Sequence, residues 1–217
     1  MSIPTSILDA DEVPDRLAQL GLDADVLREA LRIGYGHAAG CTEHEPHSLP
    51  GTLVWGKGIG NLRDVMKVRS AWRPDSTSNY ETVVHSSGSH GVALALGTAQ
   101  TGRRDGHPPR TKTPKGPATM RVIELNRQLT LVGEDPAFGT DSADVAPRET
   151  WLLLHHYDPV AEEIRCEPSC PAVMEGKQVT GWRQRILLEP VPFSLNLEFP
   201  LDDDADDIDI DVSRRAN

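Results

Sequence analysis

Tyr80-Glu-Thr-Val-Val-His85 and Gly91-Val-Ala-Leu-Ala-Leu-Gly97, joined by Ser86-Ser-Gly-Ser-His90, form the stretch that decides the fold class of this chain. Before residue 72 the apolar residues recur at helical spacing, whereas here the period falls to two residues, the spacing of a half-buried strand. Gly and Ser between the two runs favour a tight hairpin turn. The stretch therefore predicts a β-hairpin and the start of a sheet.

Helical periodicity dominates residues 11–72. Asp11 predicts the start of a short helix that ends at Gly21, and Asp23 predicts the N-cap of a longer helix over residues 24–39. Residues 41–58 are rich in Pro and Gly, which is typical of a connection. Asn61 then predicts the start of a third helix that runs to residue 69.

Strand patterns dominate the rest of the chain. Residues 150–157 and 163–168 predict a second hairpin around Asp158-Pro159, and residues 179–189 and 191–199 predict two further strands. Between the hairpins, residues 101–117 read as a Pro-rich loop and residues 118–131 as a helix with Met120 and Ile123 facing inward. The expected architecture is α+β, an antiparallel sheet of about five to six strands built from hairpins, with helices on one face.

A chain of 217 residues suits one large domain. We expect a single α+β domain over residues 1–200, with a helical N-terminal part at 11–72 and a sheet-rich part at 79–200. Residues 201–217 are acidic and poor in large apolar groups, so they predict a disordered tail.

Cysteine usage and hydropathy indicate the compartment. The three cysteines, Cys41, Cys166 and Cys170, are an odd number, and the N-terminus lacks the basic and apolar regions of a signal peptide. No apolar run approaches the ~20 residues of a membrane span. These features predict a reduced, cytoplasmic protein outside the membrane, with no cofactor, and they leave its oligomeric state open.

A basic segment lies between residues 101 and 127. It contains seven Arg or Lys against the two acids Asp105 and Glu124. Its expected polyanion-binding residues are Arg103, Arg104, Arg110, Lys112, Lys115 and Arg121. The segment has no Phe, Tyr or Trp, which argues against base stacking on the segment itself. The alternative is a solvated loop that its charge keeps soluble.

The acidic tail is the opposite feature. Seven Asp between residues 201 and 211 supply most of the formal net charge of −11, so the rest of the chain is only mildly acidic. The acidic tail has three interpretations, of which the first two are a solvated terminus and a partner-binding tail. In a third, the tail folds back on the basic segment and competes with an external polyanion through its high effective concentration.

Histidine and cysteine clusters suggest weaker candidates. The spacings of His37, Cys41, His44 and His47 suit a metal ion if the segment turns locally, although a polar helix end followed by a loop explains them equally. Cys166 and Cys170, with His155 or His156 across the hairpin, form a second candidate for metal or redox chemistry.

Two further patterns could carry chemistry. The Ser-rich turn between His85 and His90 offers a hydroxyl nucleophile beside a base, although such residues also make ordinary turns. Gly56-Lys-Gly-Ile-Gly60 resembles a phosphate-cradling loop but lacks the Walker spacing.

The leading functional hypothesis is a non-catalytic accessory or interaction domain. Its basic loop would bind a nucleic acid or an acidic protein partner, modulated by the tail. The first alternative is a hydrolase that uses His and Glu or Cys side chains, with or without a metal. The second is an inhibitory or structural protein that acts through its acidic surface. Its binding to basic partners would survive the reversal of Arg103 and Arg104 to Glu.

Overall fold

The computed structural model describes residues 5–68, 71–132 and 148–194. Within these ranges the α-helices are α1 (Val13–Gln19), α2 (Ala24–Ala38), α3 (Leu49–Val68) and α4 (Pro117–Val132). The strands are β1 (Ser6–Ile7), β2 (Trp72–Asp75), β3 (Thr82–His85), β4 (His90–Leu96), β5 (Glu149–Asp158), β6 (Glu163–Glu175), β7 (Gln178–Arg185) and β8 (Val191–Pro192). A short 3₁₀ turn spans Thr77–Asn79.

The strands form one mixed sheet. Its order is β1-β7-β6-β5-β4-β3-β2, and β8 pairs with the first two residues of β6. The predicted hairpins β3–β4 and β5–β6 are both present and antiparallel. However, β4 pairs with β5 in parallel, as β1 does with β7. The α+β class is therefore confirmed, whereas a purely antiparallel sheet of five to six strands is wrong.

The parallel pair has a physical reason. Parallel neighbours need a long crossover connection, and residues 97–148 between β4 and β5 contain the basic segment and α4. The edge strand β1 pairs with β7, which is distant in sequence, whereas the opposite edge strand β2 pairs with its neighbour β3. Local periodicity carries no information about such distant pairings.

Helices cover both faces of the sheet. Alternate residues of β4 and β5, including Val92, Leu94 and Leu153, pack with α1, α2 and α3 in one apolar core. The intervening residues, Ala93, Ala95, Leu152 and Leu154, pack with Ile123 of α4 in a second core. The expectation of helices on one face is wrong because α4 belongs to the crossover and returns over the opposite side.

The third helix corrects another expectation. Helix α3 begins at Leu49, well before the predicted start at Asn61. A Cβ atom on Gly34 of α2 would lie 2.5 Å from the Val54 carbonyl oxygen, and one on Gly58 would lie 2.7 Å from Leu94 Cδ2. Glycine at these positions therefore lets α3 approach both α2 and the sheet closely. In the sequence Gly58 indicates a loop, whereas Gly34 falls within the helix predicted over residues 24–39.

Some expectations near the C-terminus are only partly covered. Of the strand predicted at 191–199, Val191–Pro192 is a strand, and residues from 195 onward lie outside the described ranges. The predicted tail at 201–217 also lies outside them, so the domain division stays a prediction. In the ranges that the structure describes, no helix is both long enough and apolar enough to cross a bilayer.

Candidate functional site

The basic segment is pinned across the second face of the sheet. Its backbone donates from Thr111 to Val179 O at 3.1 Å, from Lys112 to Leu96 O at 2.9 Å and from Lys115 to Lys177 O at 2.6 Å. The indole of Trp182 donates to Pro109 O at 2.8 Å. The backbone of the segment is therefore anchored to the sheet, although many of its side chains are exposed.

A buried ion pair fixes the first half of this segment. The side chains of Glu167 and Arg185 are 0% and 3% exposed, and their closest N–O contact is 2.6 Å. Glu167 also accepts from the Gly102 backbone at 3.0 Å and from Ser169 at 2.9 Å, while Arg185 donates to the Arg103 carbonyl at 2.9 Å. The loop backbone thus satisfies both members of the pair.

The charges of Arg103 and Arg104 are matched by acids of the same chain. Arg103 lies 3.4 Å from Asp158, and Arg104 lies 3.0 Å from Asp9. Both arginine side chains are about half exposed, at 53% and 49%. These two predicted polyanion-binding residues therefore already have anionic partners.

The second half of the segment lines a pocket of about 770 Å³ where α4 begins. Of the predicted residues, Lys115 and Arg121 lie in this lining, while Arg110 and Lys112 are exposed elsewhere. The other walls come from α3, the 3₁₀ turn and β4. The lining also includes Trp55, Ser78, Asn79, Tyr80, Glu81, Thr119, Met120 and Glu124.

Two cations and a helix N-terminus lie at this pocket. Helix α4 has no acidic residue in its first turn, so the positive end of its macrodipole, about half a unit charge, is not offset there. Lys115 precedes that turn and Arg121 follows it; the Lys115 ammonium also donates to Thr113 Oγ1. Of the two acids in the lining, Glu81 is paired with Arg63 at 2.6 Å. Glu124 lies one turn beyond Arg121.

Apolar and aromatic surface lies beside these charges. Trp55 is 42% exposed and Met120 is 50% exposed, although Met120 was predicted to face inward. Both residues line the pocket. Large apolar groups that stay exposed in a concave, polar-rimmed site are typical of ligand-binding surfaces.

Tyr80 supplies a buried polar group in the same lining. Its hydroxyl oxygen is buried and has no hydrogen bond of ordinary geometry with the described residues. Burial raises the pKa of the phenol, while a contact with the Thr119 side chain, whose geometry falls short of an ordinary hydrogen bond, and the charge of Arg148 act in the opposite direction. The hydroxyl is therefore protonated at neutral pH and can donate to a ligand oxygen.

The 3₁₀ turn presents two strained residues to the pocket. Ser78 and Asn79 have φ values of 58° and 56°, in the left-handed region that residues with a Cβ atom seldom adopt. The turn is held by Asp75, which accepts from Thr77 and pairs with Arg148. Backbone strain that the surroundings enforce is frequent at binding sites.

The metal candidates are not brought together. His37, His44 and His47 are exposed, and across residues 5–68, 71–132 and 148–194 no three His, Cys, Asp or Glu side chains are arranged to hold a metal ion. The Gly56–Gly60 stretch lies inside α3, where the helix uses the backbone N–H groups that a phosphate loop would offer.

The cysteine candidates are buried thiols. Cys166 and Cys170 are both 0% exposed, and burial raises the pKa of each thiol to about 12. Both therefore remain protonated at neutral pH, which makes them poor nucleophiles and poor metal ligands. His155, opposite Cys166 on the neighbouring strand, is hydrogen-bonded instead to Tyr35 at 2.9 Å.

The Ser-rich turn does bring its residues together. His85 Nδ1 lies 2.6 Å from Ser87 Oγ, which lies 2.8 Å from Ser89 Oγ. Ser89 Oγ lies 2.8 Å from His90 Nδ1, and His90 Nε2 lies 2.7 Å from Leu20 O. A continuous chain of hydrogen bonds therefore links the two histidines through two serines.

Sequence reasoning missed Trp55 and Tyr80 as pocket residues. Trp55 fell in a stretch that read as a connection, and Tyr80 read as an ordinary strand residue. Had residues 49–60 been assigned to a helix, the helical period would have placed Trp55 off the buried face defined by Val54, Gly58 and Leu62.

No family model, curated protein or solved structure matched this chain.

Proposed function

We propose that this chain is a binding domain for a ligand that combines a phosphate group with an aromatic ring, as in a nucleotide or the terminal nucleotide of a nucleic acid. The observation that carries the proposal is the pocket at the start of α4. There Lys115, Arg121 and the positive helix end share one lining with an exposed Trp55 and the buried Tyr80 hydroxyl.

The phosphate position follows from electrostatics. A helix N-terminus attracts anions, and an arginine adds two parallel donors that match phosphate oxygens. Lys115 and Arg121 flank the first turn of α4, so both cations lie near one anionic group bound there. The Tyr80 hydroxyl gains a hydrogen-bond acceptor if a phosphate oxygen occupies its side of the pocket.

The ring position follows from Trp55. Stacking of a base on an aromatic side chain contributes about 1–3 kcal/mol and tolerates any base, because every base has a π face. A pocket of about 770 Å³ lies within the usual range for small molecules. Its size favours one nucleotide unit over a track for a long strand.

Of the six predicted polyanion-binding residues, only some belong to the proposed site. Lys115 and Arg121 are its centre, and Arg110 and Lys112 would contact further phosphates of a longer nucleic acid. Arg103 and Arg104 contribute little, because each already faces a carboxylate. An acidic protein partner would use the same cations without needing Trp55, which makes Trp55 the discriminating residue.

Paired probes test the ligand class. We expect AMP to bind at least about ten times more tightly than adenosine, because only AMP carries the phosphate, with a tenfold change equal to ~1.4 kcal/mol. Trp55→Ala should weaken both probes, whereas Arg121→Ala should weaken AMP alone. Isothermal titration calorimetry measures all of these affinities.

Arg127→Ala is the matched control. Arg127 is exposed on the same helix, carries the same charge and lies outside the pocket lining. Equal losses of AMP affinity in Arg121→Ala and Arg127→Ala would show a diffuse charge effect and refute a defined site. Tight binding of an acidic peptide that Trp55→Ala leaves unchanged would favour the protein partner instead.

The tail is proposed as a competitor for this site. A version of the chain that ends at Pro200 should bind AMP more tightly than the full chain at low salt, and the difference should vanish at high salt because screening weakens the tail's attraction. Equal affinities at low salt would remove the tail from the proposed function.

A further inference from the structure

The proton order along the His85–Ser87–Ser89–His90 chain is fixed by its buried end. A carbonyl oxygen only accepts, so His90 must donate from Nε2 to Leu20 O. Burial lowers the pKa of His90, with smaller contributions from His85 and Arg16, although the Leu20 hydrogen bond opposes them. A neutral His90 with its proton on Nε2 has Nδ1 free to accept, so Ser89 Oγ donates to Nδ1.

The rest of the chain follows from counting hydrogens. Ser89 has given its only proton to His90, so the 2.8 Å contact between the two serines requires Ser87 to donate to Ser89. At the other end, His85 Nδ1 accepts from the Ser87 backbone N–H at 3.3 Å, so it is also the acceptor in its 2.6 Å contact with Ser87 Oγ. Ser87 therefore shares its one hydroxyl proton between His85 and Ser89. Ser89 accepts one hydrogen bond and donates one, which leaves one lone pair of its oxygen unused.

The surroundings hold this arrangement in place. His85 and His90 stack with ring centroids 4.9 Å apart, and both rings meet the edge or face of Trp72 at 5.2 Å. Trp72 is 5% exposed and donates to Gly21 O at 3.3 Å. His90 is buried at the base of the turn, whereas Ser87 and Ser89 are exposed. A rigid base thus lies beneath an accessible hydroxyl.

We infer that Ser89 is a nucleophile activated by His90, and that it accepts an acyl group from an activated ester. Ser89 Oγ attacks the ester carbonyl carbon as its proton passes to His90 Nδ1, and Leu20 O stabilises the resulting imidazolium through Nε2–H. The C–O bond to the leaving alcohol then breaks, and His90 returns the proton to that oxygen. Ser87 is a positioning residue that orients Ser89. This site is separate from the α4 pocket.

Reaction with p-nitrophenyl acetate tests the inference. We expect one acetyl group per chain, located on Ser89 by peptide mass spectrometry, with release of one equivalent of nitrophenolate. Ser86→Ala is the matched control, because Ser86 is an exposed serine in the same turn outside the hydrogen-bond chain. Ser86→Ala should leave the rate unchanged, and Ser89→Ala should abolish labelling in the turn.

The role of His90 is tested separately. His90→Asn should slow acetylation of Ser89 by roughly 100-fold, the low end for loss of a general base. The wild-type rate should rise with pH to a plateau, with its midpoint below the ordinary histidine pKa, because burial lowers the pKa of His90. The extent of acetylation of Ser86 and Ser89 can also be compared within the wild-type chain, so this part of the test does not depend on whether a variant folds. Equal acetylation of these two serines, or a rate of Ser89 acetylation that does not rise with pH, would overturn the inference.

Discussion

The two halves of the basic segment use the same residue types for different purposes. In the first half, Arg103 and Arg104 face Asp158 and Asp9, and the backbone between residues 102 and 103 completes a buried ion pair. In the second half, Lys115 and Arg121 line a pocket at the start of α4. A count of cations in the sequence treats these halves as equal, whereas in the fold one half completes a buried ion pair and the other lines the pocket that we propose as a ligand site.

The largest expected effect breaks the first half. Arg185→Leu leaves the Glu167 carboxylate buried without its cation, and removal of one member of a buried pair costs about 3–5 kcal/mol. Denaturant unfolding measures the loss. Arg104→Leu is the control, because its half-exposed pair with Asp9 should contribute at most ~1 kcal/mol. Similar losses in the two variants would contradict the structural role of the first half.

A smaller effect should appear in the pH dependence of stability. Burial is the main cause that lowers the pKa of His155 to about 3, and Lys115 and His156 lower it further. The unfolded chain binds a proton near pH 6.5 and the folded chain does not, so stability is complete above that pH and falls as the pH drops toward 3.

Between about pH 8 and pH 5 this one residue should cost roughly 2 kcal/mol of unfolding free energy. His155→Gln should flatten that part of the profile. Lys115→Met should make the dependence of unfolding free energy on pH shallower, because Lys115 contributes to the lowered pKa of His155. The size of this change measures the electrostatic effect of Lys115 on the buried imidazole. A profile unchanged by His155→Gln would show that the buried imidazole is not the titrating group.

The smallest expected effect sharpens the second half. The described pocket lining contains two acids: Glu81, which pairs with Arg63, and Glu124. Glu124 lies one turn beyond Arg121 on the same helix. Glu124→Gln should tighten AMP binding about two- to threefold, on the order of 0.5 kcal/mol, because it removes a repulsive charge near the phosphate. The gain should shrink as salt is added. Weaker binding in this variant would place the phosphate elsewhere.

Local patterns in the sequence predicted much of the fold. Asp23 caps α2 through its own carboxylate, as its position before a helical run indicates. The hairpins β3–β4 and β5–β6 follow from alternation and turn residues that lie close together in sequence. Helix α4 follows from composition alone. In each case the deciding contacts are short-range.

The remainder depends on contacts that are distant in sequence. Gly58 of α3 indicates a loop in the sequence, and only the fold shows that its missing side chain makes room for Leu94. The parallel pairing of β4 with β5 depends on where α4 packs. The pocket likewise requires α3, the 3₁₀ turn and α4 to meet, which no single stretch encodes.

The most direct test compares the two halves in one assay. AMP affinity is measured by calorimetry for the double variants Lys115→Ala/Arg121→Ala and Arg103→Ala/Arg104→Ala, which remove the same number of positive charges. We predict a loss of about 100-fold for the first, or ~2.8 kcal/mol, and less than about twofold for the second. Equal losses would show that the basic segment acts only through its total charge, and would contradict a ligand site at the start of α4.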